Sequence, residues 1–245
     1  MVLRITDVSA DAILLAGGAR AILLQLANPG VGHGVAEHSD FVDRPLDRLH
    51  GTLTYLYVTV YGSPDEARSV ARAVGQAHRP VTGASDPELQ LWVAATLYDT
   101  AMQVRELVYG PLSAEDGQSL LSDYAMVGTA LGVPRSSWPV DRAAFAAYWS
   151  SEALAVDDIA RGMASALLHP TNVPWWMRVL MPTVRVITAG LLPPELRAAY
   201  GLEFNERRFQ RLVRTARIVY PRLPRLIRHA PMRRYLRAFR ARELP

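Results

Sequence analysis

His78 is the first residue of this sequence whose type and position could do chemistry. Placing residues 65–81 on a helical wheel gathers Ala67, Val70, Ala71, Val74, His78 and Val81 on one side. Glu66, Arg68, Ser69, Arg72, Gln76 and Arg79 fall mostly on the other. His78 therefore ends an apolar stripe, near the C-terminus of its helix. An imidazole at the edge of an apolar surface can ligate a haem iron. It can equally be a core histidine bonded to a backbone carbonyl. Gly75, one turn earlier, would let a flat ligand approach the helix backbone. Arg48 and Thr52 lie four residues apart and share a helix face, with Tyr55, Leu56 and Thr59 above them. A buried Arg48 needs an anion, because an unpaired buried charge is costly. A haem propionate or a bound oxygen species would serve. A surface Arg48 would instead pair with an acid such as Asp47.

Other chemistries find less support. His33, Glu37, His38 and Asp40 are metal-ligand types gathered in one stretch, but their spacing matches no strong template. There are no cysteines, which excludes disulfides, zinc fingers, iron–sulfur clusters and a thiol nucleophile. All 27 basic residues are Arg, which excludes Schiff-base lysines and a P-loop lysine. No Gly-rich fingerprint follows a strand, and no nucleophile elbow positions a serine.

The elements that must position these residues read as helices throughout. Asp11 is a cap for a first helix to about Leu26, with Gly17 and Gly18 as weak points, and residues 28–30 end it. Residues 31–43 read as a loop. Pro45 opens a second helix to Tyr61, stopped by Gly62. Ser63, Pro64, Asp65 and Glu66 form a strong start for the third, to about Arg79, where Pro80 breaks it. Asp86-Pro87-Glu88 starts a long helix to about Tyr109, and Ser113 heads another ending near Gly132. Further helices follow Asp141, precede His169, cover 175–192 and 205–219, and end the chain at 232–242. The expectation is an all-α protein of roughly ten helices in one domain, residues 1–245.

Charge is unevenly spread. Residues 197–245 hold 14 Arg against Glu203, Glu206 and Glu243, a balance of +11, while the rest carries −7. Such a region can face anionic lipid, nucleic acid or an acidic partner, or be a solvated helix face. Residues 175–192 hold Trp175, Trp176 and many aliphatics, but Arg178 and Arg185 interrupt them. That suits a buried or interfacial helix, with peripheral membrane contact, better than a span. Residues 1–11 lack the features of a secretory signal, so a cytoplasmic location is expected.

The pieces also have a familiar order. Residues 17–29 (GGARAILLQLANP) resemble the opening of the MpaB-type and rubber-oxygenase (latex clearing protein) haem domain. Residues 35–41 resemble its next block. Arg48-Leu49 with Thr52, then Tyr61-Gly62, then His78-Arg79-Pro80-Val81-Thr82-Gly83 resemble its central signature. Residues 86–93 and 191–202 continue the likeness, which covers nearly the whole chain in order. The resemblance implies an all-helical fold around haem b. It implies His78 as the iron's axial ligand, with Arg48, Thr52, Gly75 and Arg20 lining the cofactor site. Arg48, Thr52 and Glu37 would be the catalytic groups, Glu37 as candidate base. It implies dioxygen, a reductant and a small or lipid-like apolar substrate as partners, with no nucleic acid. Rubber-cleaving members can carry a lysine as sixth ligand where this chain has Gly51. A haem protein without turnover, serving in sensing, storage or electron transfer, has the same residues. A helical module using its Arg-rich C-terminal region on anionic lipid or a partner is a third reading.

Overall fold

The computed structural model describes residues 2–38, 45–171 and 173–243. Among these residues every regular element is helical. After α1 (Ile5–Val8) comes a 3-10 stretch (Ala12–Gly17), then α2 (Gly18–Ala27), α3 (Pro29–His38), α4 (Pro45–Tyr61) and α5 (Pro64–His78). The long α6 (Pro87–Tyr109) follows, then α7 (Ala114–Thr129), α8 (Arg142–Ser151), α9 (Asp158–Leu168) and α10 (Trp175–Leu191). The chain ends in α11 (Pro194–Ala199), α12 (Glu206–Val219), α13 (Arg225–Arg228) and α14 (Ala230–Glu243). The all-α expectation is met, with fourteen described α-helices where about ten were read.

Helix α6 is the hub. It packs against α2, α7, α12 and the 3-10 stretch. Its Trp92 is fully buried and donates to the Leu24 carbonyl at 3.1 Å. One turn and a half later, Tyr98 centres an aromatic group, with Phe145 at 4.9 Å, Tyr124 at 5.4 Å and Trp138 at 6.2 Å between ring centroids. Such tilted and edge-on pairs add to what area burial alone supplies.

Two expectations near the N-terminus are corrected. The first helix does not run unbroken from Asp11. It enters as a 3-10 stretch that gives way to α2 at Gly17 and Gly18, because Gly17 lies against α6: a Cβ there would come within 2.4 Å of the Thr100 side chain. Asp11 does not cap it. Its carboxylate accepts instead from Tyr109 Oη at 2.8 Å and Arg228 Nη1 at 3.2 Å. Nor is the stretch after Pro29 a loop, at least as far as residue 38. It is α3, and the chain bends through 99° between α2 and α3. Glycines 32 and 34 serve close packing in this helix. A Cβ at Gly32 would sit 2.7 Å from the Leu26 carbonyl oxygen, and one at Gly34 2.3 Å from that of Thr82. Tertiary contact outweighs the weak helix propensity of glycine here. Residues 39–44 of the expected loop, Asp40 among them, lie outside the described residues.

The Arg-rich C-terminal region folds back on the molecule. Helix α14 packs along α4, and its Arg240 holds Glu66 with two bonds of 2.7 and 3.1 Å. Its Tyr235 ring lies 5.8 Å from both His50 and Tyr57. No single helix among the described residues is long and apolar enough to cross a membrane. The bent pair formed by residues 12–27 and 29–37 meets that test together, and its Leu23, Leu24, Leu26 and Ala27 are core.

Candidate functional site

The site is built on the helical hairpin of α4 and α5, which pack closely together. Helix α4 buries Leu53, Tyr55, Tyr57 and Val58, and α5 contributes Val70 with Ala71 and Val74 beside it. The turn between them is pinned. Ser63 Oγ accepts from the Glu66 amide at 3.2 Å, and Glu66 accepts from the Ser63 amide at 2.7 Å. This reciprocal cap satisfies two orphan donors and fixes where α5 begins. The first turns of α4 and the last turn of α5 then form the open end of the hairpin. Arg48 and His78 meet there closely enough for the guanidinium charge to act on the imidazole.

His78 is half-buried, and its Nδ1 is enclosed without a hydrogen-bond partner among the described groups. A buried polar atom with no partner is uncommon and marks a place where something else belongs. Burial lowers the pKa of His78, and the Arg48 charge lowers it further. Both favour the neutral ring, which is the form that ligates a metal. The core-histidine reading calls for a carbonyl partner, and among the described groups Nδ1 has none. Arg48 keeps contact with solvent, yet the surrounding protein lowers its pKa by desolvation. Such an environment favours an anion beside it. Thr52 is half-buried one turn along α4. A Cβ added at Gly51 or at Gly75 would meet nothing within 4 Å. Both positions are open and carry no side chain. The residues present fit a haem: a neutral imidazole for the iron, a guanidinium for a carboxylate, and glycines where a ring needs clearance.

Glu37 lies on the exposed last turn of α3. The contact of Gly34 with Thr82 brings that turn to the segment following His78. Arg20 is placed differently. It is fully buried, with Nη2 2.6 Å from Asp99, Nη1 donating to Thr100 at 2.6 Å and Nε donating to the Leu191 carbonyl at 2.9 Å. Its guanidinium ties α2 to α6 and α10. Burial raises the pKa of Asp99 and lowers that of Arg20, each partner opposing the shift of the other.

His33 lies 2.6 Å from Asp157, the cap of α9. Among the described residues no three His, Asp or Glu side chains converge on a metal position. The His38 side chain and Asp40 lie outside the described residues. Sequence reasoning missed the Asp11–Tyr109–Arg228 cluster, in which Arg228 Nη1 also donates to Tyr109 Oη at 2.6 Å and His229 lies 3.4 Å from Asp11. Its members are up to 217 positions apart, so no local signal announces it.

The family model "ER-bound oxygenase mpaB/B'/Rubber oxygenase, catalytic domain" matches residues 6–218. The chain is also 36% identical over 222 residues to an uncharacterized protein of Mycobacterium tuberculosis and, to the same extent, to one of Mycobacterium bovis. These alignments cover 83% of this chain and 87% of each relative. No solved structure matches the chain significantly.

Proposed function

We propose that this chain, which belongs to the ER-bound oxygenase mpaB/rubber oxygenase catalytic-domain family, is an oxygenase that carries haem b on His78 and acts with dioxygen on a small or lipid-like apolar substrate. Family membership supports oxygenase chemistry. The observation that carries the cofactor is the enclosed, unpartnered Nδ1 of His78 beside Arg48.

When bound, haem would supply the activation of dioxygen. The chain's own residues do the rest. His78 would hold the iron through a neutral imidazole. Arg48 would offer its guanidinium to a propionate. Thr52 would donate a hydrogen bond into the pocket from α4. Gly51 and Gly75 leave the walls clear for the cofactor and for a substrate beside it. Glu37, at the rim of the same end, would take up or return a proton.

The test is an ultraviolet–visible spectrum of the purified protein after expression with haem supplied. We expect a Soret band that titrates one-to-one, shifts on reduction and carbon monoxide addition, and is abolished in His78→Ala. A normal band in that variant would sink the ligand assignment, and a chain that refuses haem would remove the cofactor. Product formation from an isoprenoid-like substrate, dioxygen and a reductant separates turnover from mere haem binding.

A further inference from the structure

Four of the thirteen large apolar side chains exposed among the described residues lie where α10 begins. Trp175 is 76% exposed, Trp176 50%, Val179 68% and Leu180 51%. Positions i, i+1, i+4 and i+5 share one side of a helix. The second half of α10 behaves differently. Met181, Val186, Ala189 and Leu191 are buried, Val186 and Leu191 cluster with Phe209, and Arg185 donates to the Leu168 carbonyl at 3.0 Å. The helix is thus anchored by its C-terminal half and presents the apolar side of its N-terminal half to solvent. A contiguous patch of this kind marks an interaction site.

Charge indicates what covers it. Between Asp158 and Glu195 the chain has no acidic residue and three arginines, Arg161, Arg178 and Arg185. Arg178 is exposed within the same turns as the two tryptophans. Between Glu206 and Glu243 there are thirteen arginines and again no acid. A second copy seated symmetrically on the patch would bring two exposed Arg178 side chains together, a like-charge contact. An anionic bilayer answers both features. Indole rings settle at headgroup depth, aliphatic side chains enter the acyl boundary, and arginines meet lipid phosphates.

We propose that the N-terminal half of α10 is a membrane-docking element, with Trp175, Trp176, Val179 and Leu180 entering the surface of an anionic bilayer and Arg178 holding its headgroups. The net charge of +11 over residues 197–245 adds long-range attraction to an anionic surface. The inference needs no cofactor and stands apart from the haem assignment.

Flotation of the full chain with vesicles tests it. The chain should float with phosphatidylcholine vesicles containing about one third phosphatidylglycerol, and roughly tenfold less with phosphatidylcholine alone. Raised salt should weaken the binding. Tryptophan emission should shift to the blue and be quenched by brominated acyl chains. Trp92 and Trp138 are buried in the core and stay silent in that readout. The double substitution Trp175→Ser with Val179→Ser should lose flotation roughly tenfold while the helical circular dichroism is retained, because these exposed side chains support little of the fold. Absence of flotation with the anionic vesicles, or emission untouched by brominated lipid, would overturn the proposal. So would undiminished binding by the double variant. A dimer that the same substitutions dissolve would assign the face to a second copy instead.

Discussion

At the scale of single residues, the proposed haem site asks for a neutral His78. Its pKa is lowered first by burial and then by the charge of Arg48. A histidine whose folded pKa is depressed binds fewer protons folded than unfolded. Its contribution to stability is therefore whole above its ordinary value of about 6.5 and drains away as pH falls below that toward the depressed one. Acid should loosen this end of the hairpin. Removing the second cause should move the ring back: in Arg48→Gln we expect the His78 pKa to rise, read from the pH titration of its ring carbon-bound protons by NMR on the haem-free protein. An unmoved titration would mean that Arg48 does not bear on the ring. Thr52, Gly51 and Gly75 act by size and place more than by charge. Their roles were legible in part, since four-residue spacing and the lack of a side chain are properties of the sequence itself.

At the scale of elements, α4 and α5 matter because their turn sets which residues of the two helices meet. The Ser63–Glu66 box was readable as Ser-Pro-Asp-Glu, and the structure places Pro64 first in the helix with Ser63 as its cap. Ser63→Ala should cost about 1 kcal/mol, measured by chemical denaturation, and should fray the start of α5 before its His78 end. The clasp from Arg240 on α14 was not readable, because it spans 174 positions. It lowers Glu66 to about 2, with the capping bond from Ser63 as the next cause. A depressed carboxylate contributes stability above its ordinary pKa and loses it as pH falls through the folded value, so α14 should detach from the hairpin only in strong acid. Helix α3 shows the opposite failure. The stop at residues 28–30 argues for a loop after it, and only the approach of the Leu26 and Thr82 carbonyls explains why glycines 32 and 34 stand in a helix.

At the scale of the whole molecule, α6 and the buried Arg20 hold the layers together. Arg20 joins three helices through Asp99, Thr100 and the Leu191 carbonyl. Breaking a buried pair from one side leaves the other charge uncompensated, at a typical cost of about 3–5 kcal/mol. Arg20→Ala should therefore lower the thermal midpoint severely, seen in a circular dichroism melt. Replacing His78 should leave the melt of the haem-free protein nearly unchanged. That contrast separates an internal strut from a ligand-binding residue, and equal losses in both variants would contradict it. The basic C-terminal region is likewise a matter of the whole. Its arginines read as a face for anionic lipid, nucleic acid or an acidic partner, or as a solvated helix face, but α14 lies along α4 and Arg228 reaches Asp11 and Tyr109. The family match ends at residue 218, so the α13–α14 clamp on the hairpin lies beyond the matched domain.

What the sequence determined by itself was local and periodic. Apolar spacing of 3.6 residues gave the helices, caps and prolines set most of their starts, and the same spacing put His78 on an apolar edge and Arg48 with Thr52 on one face. The absence of lysine and cysteine narrowed the chemistry before any fold was known. Tertiary structure alone decided which of those faces meet. It brought Arg48 to His78, left Nδ1 enclosed without a partner among the described groups, committed Arg20 to Asp99, made a helix of the glycine-rich stretch after Pro29 and turned the apolar start of α10 outward. The physical reason is that caps and periodicity act within a turn or two of one helix. Burial, ion pairing and close backbone approach depend on groups a hundred positions apart, whose proximity exists only once the helices have packed.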